Sequence, residues 1–341
     1  MRILVYGAGA IGGYLGALLA QQGADVTLLA RGATLAALQR DGIRVEWGGG
    51  GRVLQLPVKA CGPGQAPGRF DLVFVTLKAM QLAGAAADIR AITADGASVV
   101  MIQNGLPWWY FDRVDSPWRG TRLASLEPHG ELTAGYDLDR VVGAVIYRPA
   151  VALGPANLLI PASPSNKLVI GEVDDSRTPR LQAIAGVVEA AGMDVEITQD
   201  IRAAKWAKLM MNLVWNPLGV ITQSAAGFIA EDPRGAELVR RVIAEGKAVA
   251  ASLGVRVDFD AEHELARQVG NHAGQTSMLQ DARAGRPLEW QAIVGAVLEV
   301  AALTNTPAPT LEMVAACIGL LDQRIRSDGV ALRPVPRQSP A

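Results

Sequence analysis

Three glycines near the start of the chain have the spacing of a phosphate cradle. Gly7-Ala8-Gly9-Ala10-Ile11-Gly12 follows a short apolar run, Arg2 to Tyr6. An apolar periodic run to Gln22 comes next, then a second strand-like run from Asp25 to Leu29. Strand, glycine turn, helix and strand is the context a dinucleotide-binding fingerprint requires. Gly7 permits the tight turn, Gly9 lets the backbone approach a pyrophosphate, and Gly12 lets the helix pack close to the strand. The helix N-terminus presents N–H groups and a positive dipole end to the phosphates. The second strand closes on Leu28-Leu29-Ala30-Arg31, with no carboxylate to hold a ribose 2′-hydroxyl. An arginine there can pair with a 2′-phosphate, so the expected cofactor is NADP(H).

A second constellation lies far along the chain. Lys205, Lys208, Asn212 and Asn216 are spaced three, four and four. On a helix they form one polar stripe. Trp206, Leu209, Met210, Met211, Leu213, Val214 and Trp215 surround them. Such a stripe is costly unless it meets water or a ligand, so it is either a solvated edge or the lining of a cleft. Pro217 is expected to end or kink this helix near Asn216. Further on, Ser277 with Gln280 fits a capping box or, more simply, an N-cap in Thr276-Ser277-Met278-Leu279-Gln280-Asp281. Glu289, two residues after Pro287, fits a first helical turn, where a carboxylate suits the dipole.

The elements that must position these groups follow from the apolar pattern. Asp71 to Thr76 and Ser98 to Gln103 have the unbroken apolar middles of strands buried on both faces. Lys78 and Asn104 follow at their carboxyl ends, where open α/β sheets bind ligands. Ile43 to Trp47 and Val53 to Val58 alternate as strands about a hairpin turn at Gly48 to Gly51, and Cys61 to Arg69 reads as a connector. Lys78 to Ile92 reads as helix; Arg140 to Tyr147, Val151 to Ile160, Leu168 to Ile170 and Asp194 to Ile197 read as strands, with a helix at Thr178 to Ala191. From Asp200 to Arg326 nearly everything is helical, with starts signalled by Asp200, by Glu231-Asp232-Pro233 and by Pro287. The expectation is an α/β Rossmann-type domain over 1–198, an all-α domain over 199–326, and a disordered tail over 327–341.

Composition narrows the class. The 341 residues favour two domains, and half are apolar, enough for sizeable cores. A formal net charge of −1 gives no strong pull toward nucleic acid or anionic membrane. Cys61 and Cys317 stand far apart with no CxxC, and His129, His263 and His272 form no HExxH, so neither a disulfide framework nor a metal site is expected. Glycines interrupt the apolar opening, which argues against a signal peptide, and no apolar run reaches spanning length. The expected location is the cytoplasm.

Taken together, GAGAIG at Gly7 to Gly12, Arg31, TLKA at Thr76 to Ala79 and QNG at Gln103 to Gly105 resemble the ketopantoate reductase (2-dehydropantoate 2-reductase) family. So do KWAKLMMNLVWNPL at Lys205 to Leu218, TSMLQD at Thr276 to Asp281, and Glu289 twelve residues after Ser277. The motifs occur in order over roughly residues 1 to 326. The resemblance implies a Rossmann-type domain followed by a helical domain, with the active site in the cleft between them. It implies that Lys208 is the catalytic lysine, giving a proton to the ketone oxygen of a 2-keto acid as hydride arrives. A partly desolvated lysine can do so near neutral pH, and its cation stabilises a developing alkoxide. By the same resemblance Asn104 helps hold substrate and lysine near the nicotinamide. Asn212, Asn216 and Ser277 bind substrate carboxylate and carbonyl, and Glu289 accepts from the substrate hydroxyl. Gly7 to Gly12, Arg31 and Lys78 hold NADPH. Families of this kind often form homodimers through the helical domain.

Two features depart from the family pattern. Trp108-Trp109-Tyr110-Phe111 follows Asn104-Gly105 closely, and either packs an interface or makes the pocket more apolar. Extra residues fall around Asp112 to Asp139 and at the C-terminus. Both bear on substrate rather than reaction type. The alternatives to a ketopantoate reductase are a paralogue acting on a bulkier 2-oxo acid, an opine-type dehydrogenase, and a non-catalytic NADP(H)-binding sensor.

Overall fold

The structure is a computed structural model that describes residues 1–332. It contains two compact units, Met1–Lys205 and Trp206 onward. The first carries strands β1 (Arg2–Tyr6), β2 (Asp25–Leu29), β3 (Ile43–Trp47), β4 (Val53–Leu56), β5 (Lys59–Cys61) and β6 (Phe70–Val75). It continues with β7 (Thr93–Met101), β8 (Val141–Tyr147), β9 (Val151–Gly154), β10 (Asn157–Ile160), β11 (Lys167–Glu172) and β12 (Asp194–Ile197). Its helices are α1 (Ala10–Gln21), α2 (Gly32–Asp41), α3 (Ala86–Ile92), α4 (Glu131–Gly135) and α5 (Pro179–Ala190).

The main sheet runs β5-β2-β1-β6-β7-β8-β11-β12. From β5 to β8 every pairing is parallel; β11 is antiparallel to β8, and β12 is parallel to β11. The chain leaves β1 for β2 on one side and later returns to β6 on the other. That reversal opens the crevice in which doubly wound sheets bind nucleotides. The unbroken apolar middle of β6 fits its position: Leu72, Val73, Phe74 and Val75 are all buried, on both faces.

A second sheet, β4-β3-β10-β9, was not foreseen as one unit. Gly48 to Gly51 turn β3 into β4 as expected, but β10 then joins β3 in parallel. Val151 to Ile160 is two strands rather than one, because the chain turns at Gly154-Pro155-Ala156, with Ala156 at φ 54°. Lys59–Cys61 forms an edge strand beside β2 where a connector was expected to begin. Lys78 to Ile92 is only partly α-helical. Tight 3₁₀ turns at Ala79–Gln81 and Ala83–Ala85 precede α3, and the Gln81 carboxamide accepts the Lys78 N–H at 3.0 Å.

The aromatic run is packing for the first unit. Trp108, Trp109, Tyr110 and Phe111 are all buried. Trp108 stacks on Tyr136 with ring centroids 5.8 Å apart. Trp109 lies on β8 so closely that a Cβ at Gly143 would come within 2.8 Å of its ring. Arg202, also buried, donates to the Tyr110 carbonyl at 2.8 Å, the Asp112 carbonyl at 2.6 Å and the Val173 carbonyl at 2.8 Å. Trp109→Ala is therefore expected to cost about 3–5 kcal/mol of stability in denaturant unfolding. Its substrate KM should stay within about twofold, since the ring is fully buried in the core of the first unit. A variant with native stability and a changed KM would reinstate the pocket reading.

Helix α6 (Ile201–Thr222) starts in the first unit and continues through the second. The others are α7 (Ala226–Glu231), α8 (Pro233–Ser252), α9 (Ala261–Gln268), α10 (Ser277–Arg283), α11 (Ala296–Leu303) and α12 (Pro309–Asp328). The capping signals act as expected. Asp200 accepts the Ala203 N–H at 2.8 Å, and Asp232 accepts that of Arg234 at 2.8 Å. Pro217, expected to end or kink α6, does not end it but lies inside it. An interior proline costs about 3 kcal/mol. Here Leu213, Val214, Trp215, Leu218 and Val220 are buried around it, and their burial, at roughly 1.5–3 kcal/mol per large side chain, outweighs that cost. Of the expected tail 327–341, α12 runs through Asp328 and the Leu332 N–H donates to the Ala282 carbonyl at 3.0 Å. Residues 333–341 lie outside the described residues.

Candidate active site

The glycine loop leaves β1 at the reversal point. Gly7 has φ 109°, a conformation that favours glycine. The Gly7 and Ala8 amides both donate to the Leu29 carbonyl at 3.0 Å, tying the loop to the end of β2. Thr76, at the end of β6, donates its hydroxyl to the Gly7 carbonyl at 2.6 Å. Gly12 lies against the same corner: a Cβ there would stand 2.1 Å from the Gly7 carbonyl oxygen and 2.3 Å from Thr76 Oγ1. Gly9 differs. A Cβ on it meets nothing within 4 Å, so its missing side chain leaves open space at the start of α1. No side chain caps that helix among the described residues. Its first amides and the dipole face this space, which suits a diphosphate. Ala8, Ala10 and Ile11 pack part-buried against the core and fix the loop from behind.

The other expected cofactor residues sit at the carboxyl ends of neighbouring strands. Arg31 is exposed, directly ahead of α2. It stands near the Tyr6 hydroxyl, which donates to Asp88 at 2.8 Å. Burial and Asp88 push the Tyr6 pKa up to about 12, and the Arg31 guanidinium opposes them. Lys78 follows β6 and Asn104 follows β7, both part-buried. Gln103 braces the two strand ends, donating to the Val75 carbonyl at 2.8 Å and the Leu77 carbonyl at 3.2 Å. Lys205 is buried and donates to the Gln103 carbonyl at 2.8 Å.

The second unit holds the remaining candidates. The stripe on α6 is no solvated edge: Asn216 is buried, and Lys208 and Asn212 are part-buried. The Asn216 Nδ2 is buried with no hydrogen-bond partner among the described residues. Burial, and after it the charge of Arg267, lowers the pKa of Lys208. Arg267 is held by the buried Glu264 at 2.6 and 2.8 Å. Glu264 also accepts the Trp215 indole N–H from α6 at 2.6 Å.

Two local expectations need correction. Thr276, not Ser277, caps α10, accepting the Leu279 N–H at 3.3 Å. Ser277 is an exposed first helical residue, and Gln280 reaches back to the Gln275 carbonyl rather than closing a capping box. Glu289 lies just ahead of its helix rather than in the first turn. Helical structure starts at Trp290 and continues as a π turn, Gln291–Gly295. Glu289 itself is buried, at 9 % exposure.

Sequence reasoning passed over the braces. Thr76 and Gln103 stood inside recognised motifs and were signalled only as polar residues at the ends of buried strands, while Lys205, read as part of the polar stripe, turns out to brace the Gln103 carbonyl from α6. Glu264 and Arg267 look in sequence like an ordinary surface pair three apart. Among the described residues no group of three or more His, Cys, Asp or Glu could hold a metal, and no helix is long and apolar enough to cross a membrane.

Comparison with known proteins places the chain in a family. Residues 3–107 match the family model described as ketopantoate reductase PanE/ApbA, and residues 200–322 match that of its C-terminal domain. A 2-dehydropantoate 2-reductase of Mesorhizobium japonicum is 38% identical over 321 residues, covering 93% of this chain and 97% of that protein. A solved Ralstonia solanacearum protein, described as a candidate ketopantoate reductase, superimposes with a TM-score of 0.87 at 35% identity, covering 94% of this chain and 98% of its own. D-mandelate dehydrogenase bound to NADH and anilino(oxo)acetate superimposes with a TM-score of 0.81 over 96% of this chain and 100% of its own. At 17% identity that likeness concerns the fold alone.

Proposed function

Since the chain belongs to the ketopantoate reductase family, and is an oxidoreductase of the 2-dehydropantoate 2-reductase type that uses a nicotinamide cofactor, we propose that it reduces 2-dehydropantoate to pantoate with NADPH. The observation that carries the reading is Lys208, part-buried on α6 with a lowered pKa, one turn ahead of Asn212. A lysine of that kind gives up a proton more readily than a solvated one.

The open space at Gly9 and the uncapped start of α1 fit a diphosphate, and Arg31 at the end of β2 fits a 2′-phosphate. When bound, the dihydronicotinamide supplies the hydride. Lys208 donates its proton to the ketone oxygen, and its charge before transfer favours the alkoxide character of the transition state. Asn104, with its backbone fixed by Gln103, holds the substrate toward the nicotinamide. Asn212, Asn216 and Ser277 take the substrate carboxylate and carbonyl, the unpartnered Asn216 Nδ2 being a ready donor. Glu289 accepts from the substrate hydroxyl. A sensor needs no proton donor, and the packed aromatic run removes the chief reason to expect a bulkier substrate.

The test is NADPH oxidation by purified protein with ketopantoate, beside smaller and bulkier 2-oxo acids, repeated with NADH. Ketopantoate with NADPH is expected to have the highest kcat/KM. A higher value for a bulkier acid overturns the substrate, and tight NADPH binding without turnover of any acid overturns the enzyme reading. Arg31→Ala should weaken NADPH by roughly 10–100-fold, the worth of a charged hydrogen bond, and NADH by less than about threefold. Titration of nicotinamide fluorescence checks this, and equal losses for both cofactors would remove the 2′-phosphate role.

A further inference from the structure

The segment that carries Glu289 is locked to α12 on both sides of that residue. Asp322 of α12 is buried, at 3 % exposure. One of its carboxylate oxygens accepts the Leu288 backbone N–H at 2.7 Å. The other accepts the Trp290 indole N–H at 3.3 Å and the Arg326 Nε–H at 2.6 Å. Trp290 also lies against Gly319, one turn earlier on α12, where a Cβ would come within 3.3 Å of the ring. Leu288 is fully buried. Thus one carboxylate holds the backbone before Glu289 and the side chain after it. The π turn that follows at Gln291–Gly295 is a wide geometry often found at functional sites.

We propose that Asp322 is a positioning residue for substrate recognition, fixing the Leu288 backbone before Glu289 and the Trp290 side chain after it so that the Glu289 carboxylate is presented in one orientation. This rests on the substrate-binding role given to Glu289 above. The physical basis is pre-organisation. A carboxylate that must be ordered at the moment of binding costs affinity, whereas one fixed beforehand does not. Asp322 can act in this way because its charge is met by a guanidinium and two N–H donors, so its burial is compensated.

The test is a double-mutant cycle on the full chain at saturating NADPH, with ketopantoate as the varied substrate and Tm recorded for every variant. Asp322→Asn keeps the shape and one acceptor but loses the charge. Trp290→Phe leaves Asp322 whole and removes one of its partners, so the proposal stays testable if Asp322→Asn folds poorly. Glu289→Gln is expected to raise the ketopantoate KM by roughly 10–100-fold. Asp322→Asn should raise it by about tenfold, and Trp290→Phe by about threefold, with kcat and the NADPH KM changed much less. In the Glu289→Gln background, Asp322→Asn should add less than about twofold to KM, while its effect on Tm remains in full. A merely structural Asp322 would lower Tm in both backgrounds and leave KM unmoved; that result, or KM effects that multiply, overturns the proposal alone. A Glu289→Gln enzyme with native KM, or a wild type that does not turn over ketopantoate, overturns the role of Glu289 and the proposal with it.

Discussion

Lys208→Ala is expected to lower kcat for ketopantoate reduction by about 10²–10⁴-fold, the usual contribution of a positioned general acid. The NADPH dissociation constant should change by less than about twofold, because the residues proposed to hold the cofactor lie elsewhere in the chain. The pH profile carries the sharper test. Reduction requires the protonated lysine, so the rate falls as pH rises through the pKa of Lys208. Burial, and then Arg267, lowers that pKa from its ordinary value of 10.5, which brings the alkaline limb down with it. Pantoate oxidation requires the neutral amine, and its rate should rise over the same interval. Arg267→Met removes a neighbouring positive charge and should move both limbs to higher pH. Lys208→Arg keeps a cation that does not titrate in this range, so the limb should vanish with most of the rate. A Lys208→Ala enzyme that retains kcat, or an alkaline limb that survives in Lys208→Arg, would show that the proton comes from another group.

The groups proposed to meet cofactor were legible because their chemistry is local. A glycine turn between strand and helix needs only a few residues to specify it, and Arg31 is placed by the length of β2. The ends of β6 and β7 were found for the same reason, since a short apolar run bounded by polar residues defines a buried strand. The second sheet was not legible. Joining β3 to β10 requires pairing residues more than a hundred positions apart, and an alternating pattern gives no partner. Pro217 fails to end α6 for a related cause. Local backbone preference predicts an end or a kink, but Leu213, Val214, Trp215, Leu218 and Val220 around Pro217 are buried, and tertiary burial exceeds the local penalty of continuing the helix.

Glu289 and Ser277 were found only through a family resemblance, and spacing alone described their surroundings wrongly. A capping box and a first helical turn are defined by intervals of a few residues, and two adjacent hydroxyl residues, Thr276 and Ser277, satisfy nearly the same interval. The structure chooses Thr276 because its extended backbone lets its hydroxyl face the Leu279 amide. Glu289 is displaced from the helix because its neighbours answer to Asp322 on α12. No pattern within the segment could reveal that. The aromatic run shows the converse, since four rings close after Asn104 left packing and a more apolar pocket both open until Gly143 and Arg202 are seen packed against them.

Gly9→Ala and Gly12→Ala, alike in sequence, should fail in opposite ways. Gly9 has φ −76°, a value alanine adopts freely, and its Cβ would enter open space. Stability should therefore change by less than about 0.5 kcal/mol in denaturant unfolding. The same methyl would occupy the volume proposed for the diphosphate. NADPH binding should weaken by roughly 10–100-fold, as when a charged hydrogen bond is lost. At Gly12 the methyl would stand 2.1 Å from the Gly7 carbonyl oxygen and 2.3 Å from Thr76 Oγ1, far inside contact distance. Neither neighbour is the free end of a flexible chain: one is backbone at φ 109°, and the other is tied to that backbone by a 2.6 Å hydrogen bond. The loop or α1 must shift, at a cost of about 1–3 kcal/mol or more, and the phosphate cradle shifts with it. Gly12→Ala should therefore lose stability in the absence of cofactor as well as NADPH affinity. The pair is read by unfolding without cofactor and by NADPH titration. A Gly9→Ala protein that binds NADPH as tightly as wild type would move the diphosphate away from the start of α1. A Gly12→Ala protein with native stability would show that the contact between loop and strand is looser than these distances require.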